Sequence, residues 1–364
     1  MENTIYYVVI ASGVLALIYA LWRTAWISKQ HPGNEKIALE LADFYRQRGQ
    51  AVKAEAVYRK AIAGAEQPTD LQALLGDFYF EQQQFALASK EVEEVLAVSS
   101  HHGRGKLVSA KLLLHEGQTA EALDILNSLV KDYPRWGEAF YFKAAAHFAR
   151  NEQQLSQQAA AAAVKYAPAD SRFRTLLARH HLLKRDFEAA QKEAAAALQL
   201  QPANFRAALI LGESLLRAGD YDKAVKVLDR ILERAPADSQ ARQLKGVALL
   251  AAGQGAEARA VFEEILAAHD RVVARHPNLR IVSAHMGNME HDLQALAERF
   301  DRYPNLAVDT SGVRRISALG RLDRDEVRAF FIDYSDRIVY GSDRNAHGRQ
   351  LEMSPDELAW SIYD

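Results

Sequence analysis

The chain has no cysteine, which removes disulfides, thiolate nucleophiles and cysteine-held zinc in one step and leaves any metal to His, Asp or Glu. It also lacks an excess of charge of either sign. Against 47 Asp and Glu stand 45 Lys and Arg, a formal net charge of -2, so nothing here attracts nucleic acid in general, and no nucleic-acid partner is expected. Proline is scarce, nine in 364 residues, and four of the nine (Pro134, Pro168, Pro202, Pro236) keep one interval of 34. What is present is ordered by that interval.

Alanines keep the same step at Ala54, Ala88, Ala122, Ala190, Ala224 and Ala258, with Ser156 in the one gap, and glycines keep it at Gly49, Gly117, Gly219 and Gly253. Within each period a large residue followed by a small one recurs, as in Leu41-Ala42, Leu75-Gly76, Leu177-Ala178 and Leu211-Gly212, and the small residue lets two helices approach closely. Half a period later the apolar spacing of Ala54, Tyr58, Ala61 and Ile62, repeated at Ala258, Phe262, Ile265 and Leu266, describes one face of a second helix. The glycine suits a left-handed helix end, and the late proline stops the second helix because it lacks the N–H. The reading is about seven helix-turn-helix units from about residue 35 to about residue 270. A period of 34 with this punctuation resembles the tetratricopeptide (TPR) repeat, which implies a mainly α superhelix with a concave inner surface.

Before the array, residues 5–22 read IYYVVIASGVLALIYALW without a charge. As a helix the run spans roughly 27 Å, near the thickness of a bilayer core. Arg23 and Lys29 follow it and no Lys or Arg precedes it, so the expectation is an uncleaved, single-pass anchor in the inner (cytoplasmic) membrane with the repeats facing the cytoplasm. Residues 1–37, with the LIYALW run and the closing GNEKI, resemble the first membrane helix of proton-pumping membrane pyrophosphatases. That family's acidic, lysine-rich site has no counterpart here, so only a membrane helix is implied.

After the array the pattern changes to strand, helix, strand, helix, strand over 280–284, 290–300, 306–309, 324–332 and 337–340, the alternation of a parallel sheet. The stretches HPNLRIVSAHMGNMEHDLQALAERFDRYPNLAVDTSG and VRAFFIDYSDRIVYGSD resemble the C-terminal part of metal-dependent amidohydrolases, a class that includes decarboxylases of aromatic acids. By that resemblance these are the last three strands of an incomplete TIM-type barrel. His285 matches the family's sixth-strand histidine and Asp343 its eighth-strand aspartate, which binds metal or activates water. The family's first-strand His-x-His pair is absent, since no two histidines are separated by one residue, and its fifth-strand histidine would fall among the repeats. Three strands do not close a barrel. The face that would line its interior, expected to include Ile281 and Val339, therefore stays open unless it docks on the solenoid or on another chain.

The chain thus reads as a chimera of three segments: anchor helix and linker 1–34, TPR solenoid 35–270 and amidohydrolase-like fragment 271–364. In the solenoid, His147 and His181 fall where Tyr45 and Tyr79 stand in earlier units and are expected to fill an aromatic packing site, while His101-His102 is expected in a solvated link. Register brings Lys111, Tyr141, Phe148, Arg172, Arg179, Arg206 and Glu213 to the inner face, and three arginines from adjacent repeats point to an acidic segment of a partner. The function expected is a membrane-anchored scaffold that binds a protein or peptide and needs no cofactor. The alternative is a metal-dependent hydrolase or decarboxylase holding zinc or manganese at His285 and Asp343, half a ligand set by the usual count.

Overall fold

A computed structural model describes residues 35–283, 289, 292–310 and 319–339. The candidate anchor at 5–22, His285 and Asp343 lie outside these residues. By internal contacts the chain divides into two compact units, Met1–Arg234 and Ala235–Asp364.

The described part of the first unit is six helical hairpins: α1 (Glu35–Gln47) with α2 (Ala51–Gly64), α3 (Thr69–Glu81) with α4 (Phe85–Val98), α5 (Gly103–His115) with α6 (Thr119–Asp132), α7 (Gly137–Ala149) with α8 (Gln153–Tyr166), α9 (Ser171–Leu183) with α10 (Phe187–Leu200), and α11 (Phe205–Ala218) with α12 (Tyr221–Arg234). Each first helix begins 34 residues after the one before it. The alanines at that step are buried, and Ser156 is as buried as they are. Small residues on first helices face large ones on second helices. A Cβ added to Gly212 would stand 3.0 Å from Leu228, and one added to Gly76 would stand 3.2 Å from Val92.

Every hairpin turns the same way. One residue adopts positive φ in each of the seven turns, at Gly49, Gln83, Gly117, Asn151, Arg185, Gly219 and Gly253, so the glycine series continues through three other residues. The following N–H then closes back onto the first helix, as in Gln50 N to the Tyr45 carbonyl and Asp186 N to the His181 carbonyl, each at 2.9 Å. This satisfies carbonyls that the helix end would otherwise leave bare. Successive first helices touch (α3 with α5, α5 with α7, α9 with α11), while successive second helices make no comparable contact. The first helices therefore line the inner, concave side of the solenoid.

The second unit begins with a seventh hairpin, α13 (Ser239–Ala251) and α14 (Gly255–Arg275). At 21 residues α14 outruns the 14 of α12, and its last turns cover a sheet. Strands β1 (Ile281–Ser283), β2 (Leu306–Asp309) and β3 (Ile338–Val339), with α15 (Leu293–Arg302) and α16 (Arg324–Asp333) between them, form a parallel sheet in chain order. Its covered face carries Ile281, Leu306, Val308 and Ile338 against Val273 of α14, Phe300 of α15 and Phe330 of α16.

One sequence expectation is corrected here. Ile281 pairs with Leu306 and Val339 with Asp309, three residues apart along β2, so the alternation of the pleat puts Ile281 and Val339 on opposite faces. Ile281 packs on the helix-covered side, and the open face carries Val282 with Val339, 46% and 42% exposed.

Candidate functional site

The inner row of the first unit is built from two columns of residues that advance by 34. One column is Asp43, Asp77, Lys111, Ala145, Arg179 and Glu213; the other is Arg104, Glu138, Arg172 and Arg206. Each sits on a first helix, and the two columns stand seven residues apart on each helix, about 10 Å along its axis.

In the N-terminal half the charges satisfy one another. Lys111 Nζ donates to Asp77 Oδ1 at 2.6 Å and to Glu138 Oε1 at 2.7 Å. Arg104 Nη1 donates to the second oxygens of the same two carboxylates, at 3.0 Å each. Lys111 is 2% exposed and also lies 4.7 Å from the centre of the Phe142 ring. Its ammonium is engaged on all sides, tying three successive hairpins together. Arg46 bridges Glu81 and Asp43 in the same fashion. Burial holds the Glu81 carboxyl above its ordinary range, with Arg46 opposing.

In the C-terminal half aromatic plates support the arginines. Tyr141 stacks on Phe173 with centroids 4.9 Å apart. Arg172 lies beside both rings and forms a fork on Asp170, Nε to Oδ1 at 3.1 Å and Nη2 to Oδ2 at 2.7 Å. The Asp170 hydrogen bond, opposed by burial, raises the Arg172 pKa. Arg179 lies 4.5 Å over the Phe148 ring, whose edge meets His180. Arg206 is exposed, and Glu213 pairs with Arg217 at 2.6 Å. The structure thus collects all seven sequence candidates on the first helices, with Lys111 buried at the floor.

Sequence reasoning missed Asp77, Arg104 and Glu138, although each stands one 34-residue step from a charged residue in its own column. His102, expected in a solvated link, instead caps α5. Its Nδ1 accepts the Gly105 N–H at 3.0 Å, so its proton sits on Nε2, which donates to Asp70 at 2.7 Å. His147 and His181 occupy the tyrosine position and bond forward to Glu152 and Asp186, the residues just before α8 and α10.

The second unit carries its own polar cluster. Arg299, 8% exposed, donates to Asp270 at 2.5 Å and to His269 Nδ1 at 2.8 Å, and His269 Nε2 meets Ser283 Oγ at 2.7 Å. Burial first, and then Arg299, lower the His269 pKa. A cleft of about 450 Å³ lined by Arg280, Asn305, Asp336 and Arg337 opens at the N-terminal ends of the strands, the end opposite to that used for chemistry in TIM-type barrels. Among the described residues no three His, Cys, Asp or Glu side chains come together to hold a metal ion.

Comparison with known proteins gives two families. Tetratricopeptide repeat families match residues 38–72 and 74–135, and the amidohydrolase family matches residues 131–345. Most of that second span is helical hairpin, and its strands lie at 281–339. No curated protein matches the chain. Among solved structures, PilF of Pseudomonas aeruginosa is 18% identical, covering 58% of this chain and 96% of its own, with a TM-score of 0.48. The Cut9–Hcn1 hetero-tetramer of the APC/C is 16% identical, covering 69% and 49%, with a TM-score of 0.56. A tetratricopeptide protein of Thermus thermophilus is 20% identical, covering 50% and 99%, with a TM-score of 0.41. The Cut9–Hcn1 likeness shows a shared helical-repeat fold over about half of that chain.

Proposed function

The chain belongs to the amidohydrolase family, matched over residues 131–345, and because tetratricopeptide hairpins fill most of that span we propose a membrane-anchored scaffold that binds a protein or peptide and carries out no chemistry. The observation that carries this reading is the inner row: a continuous surface of first helices, electrically closed at one end and presenting supported arginines at the other. The ligand is an extended segment bearing acidic side chains, met by Arg172, Arg179 and Arg206, with Tyr141, Phe148 and Glu213 beside them and the buried Lys111 ordering the floor. Reversing the charge of all three arginines should abolish recovery of the partner while leaving helicity intact, and added salt should weaken recovery. Recovery indifferent to both changes would reject the groove.

The anchor is residues 5–22, with 1–34 as anchor and linker, 35–270 as binding array and 271–364 as fragment. Its support is the uncharged length and the flanking Arg23 and Lys29. Among the described residues no helix is long and apolar enough to cross a membrane. Full-length protein should pellet with membranes, and a chain lacking residues 1–30 should not. Full-length protein in the soluble fraction without detergent contradicts the proposal.

The family match favours one second reading, a metal-dependent hydrolase or decarboxylase acting through His285 and Asp343, completed by another chain. Zinc- or manganese-dependent turnover of aromatic carboxylic acids or amides, lost in both His285→Ala and Asp343→Ala, would establish it and displace the scaffold.

A further inference from the structure

The three arginines of the inner row have surroundings that give them different work. This inference rests on the groove reading and sharpens it. The Nε–Nη2 edge of Arg172 is occupied by Asp170, so a ligand carboxylate arriving there would have to displace an acid already in fork geometry. Arg206 has no hydrogen bond, ion pair or ring contact among the described residues and is exposed. It is a long, freely rotating cation, and ordering it forfeits rotamer entropy. Arg179 differs from both. Its guanidinium lies 4.5 Å over Phe148, and that ring is held in turn by an edge contact to His180, which is 2% exposed and bonded to Ser156. Among the described residues no acid pairs with Arg179. Contact with the ring face restrains the guanidinium without using its N–H groups, which leaves donors prepared for a carboxylate.

We infer that Arg179, supported by Phe148, is the residue that selects a carboxylate in an extended peptide ligand, with Arg206 adding unspecific attraction and Arg172, its fork held by Asp170, adding only its charge. A planar fork on a ring is what lysine does not reproduce, although it keeps the charge. The carboxylate can come from an Asp or Glu side chain or from a peptide C-terminus.

The test uses the full chain in detergent and fluorescence polarisation at low ionic strength with two labelled probes, a decaglutamate with an amidated C-terminus and a decaglutamine with a free one. Circular dichroism confirms the fold of each variant. Binding of the first probe assigns the side-chain carboxylate, and binding of the second alone assigns the terminus. On the bound probe, Arg179→Lys and Phe148→Leu should each weaken affinity by about tenfold or more, Arg206→Gln by about two- to threefold, and Arg172→Gln by less than about twofold. Arg179→Lys binding like the parent, or Arg172→Gln losing as much as Arg179→Lys, overturns the assignment while leaving the groove in place. No measurable binding of either probe to the parent chain overturns the assignment as well. Failure of the groove itself is read separately, by partner recovery that survives reversal of all three charges.

Discussion

Ser156 stands where six other hairpins carry alanine, and its surroundings explain the exception. Its hydroxyl donates to the Ala144 carbonyl at 2.6 Å and lies 2.8 Å from His180 Nε2. With the hydroxyl proton committed to the carbonyl, Ser156 Oγ accepts, so His180 carries a proton on Nε2. Burial first, then Arg179, His181 and Lys184, push the His180 pKa down from 6.5 to about 4. The unfolded chain therefore takes up a proton before the folded chain does. Stability from this residue is complete above pH 6.5 and is lost as pH falls from there toward about 4. We predict that His180→Phe, which keeps the ring and removes the titration, flattens the decline of Tm between pH 6.5 and 5. An equal decline in both proteins would remove His180 from the acid response. The alanine spacing was legible because a crossing of helices admits one size of side chain wherever it recurs. The His180 partnership was not, because it joins two columns 24 residues apart that no single period connects. Lys111 was placed on the inner face by register, but its burial follows from two acids on neighbouring helices, which a one-column reading does not combine.

At the scale of elements, the turns set the register of the array. Glycine marks four of the seven positive-φ positions, and Gln83, Asn151 and Arg185 hold φ of 59°, 60° and 63° at the others. A residue with a Cβ is strained there by about 1–2 kcal/mol, which glycine avoids at an entropic cost of about 0.5–1 kcal/mol. Arg185→Gly and Gln83→Gly should therefore stabilise the protein by up to about 1 kcal/mol, and Asn151→Gly by less, since asparagine tolerates this region. Thermal melts check the ranking, and destabilisation by Arg185→Gly would mean that its side chain holds the turn in another way. The sequence showed the turns only where glycine announced them. The strand positions were readable from short apolar runs between polar stretches. Their faces were not, because a pleat reverses with every residue and its phase is fixed only once β1 and β3 are in register with β2.

At the scale of the molecule, the chain divides within what sequence periodicity presents as one uninterrupted array. The seventh hairpin keeps the 34-residue step, yet it belongs to the second unit, because α14 runs on to bury Val273 in the sheet's core and to offer Asp270 to Arg299. The period reports local helix packing and says nothing about the neighbour that a helix gains beyond its last repeat position. Arg299→Met should leave Asp270 without its partner and destabilise the second unit by about 2–3 kcal/mol, below the figure for a fully enclosed pair because Asp270 keeps some solvent. Hydrogen exchange would show this as lost protection over 255–339 with protection over 69–218 unchanged. Equal loss in both stretches would mean that the two units unfold as one.

The central claim is that the inner row of first helices receives a protein segment. A photo-crosslinking residue placed at Tyr141, on that row, and separately at Leu155, on an exposed part of α8, tests it in the full chain within cells. The account predicts discrete protein adducts through position 141 that Arg179→Glu removes, and none through position 155. Equal adducts from both positions, or adducts at 141 that persist in Arg179→Glu, would contradict it.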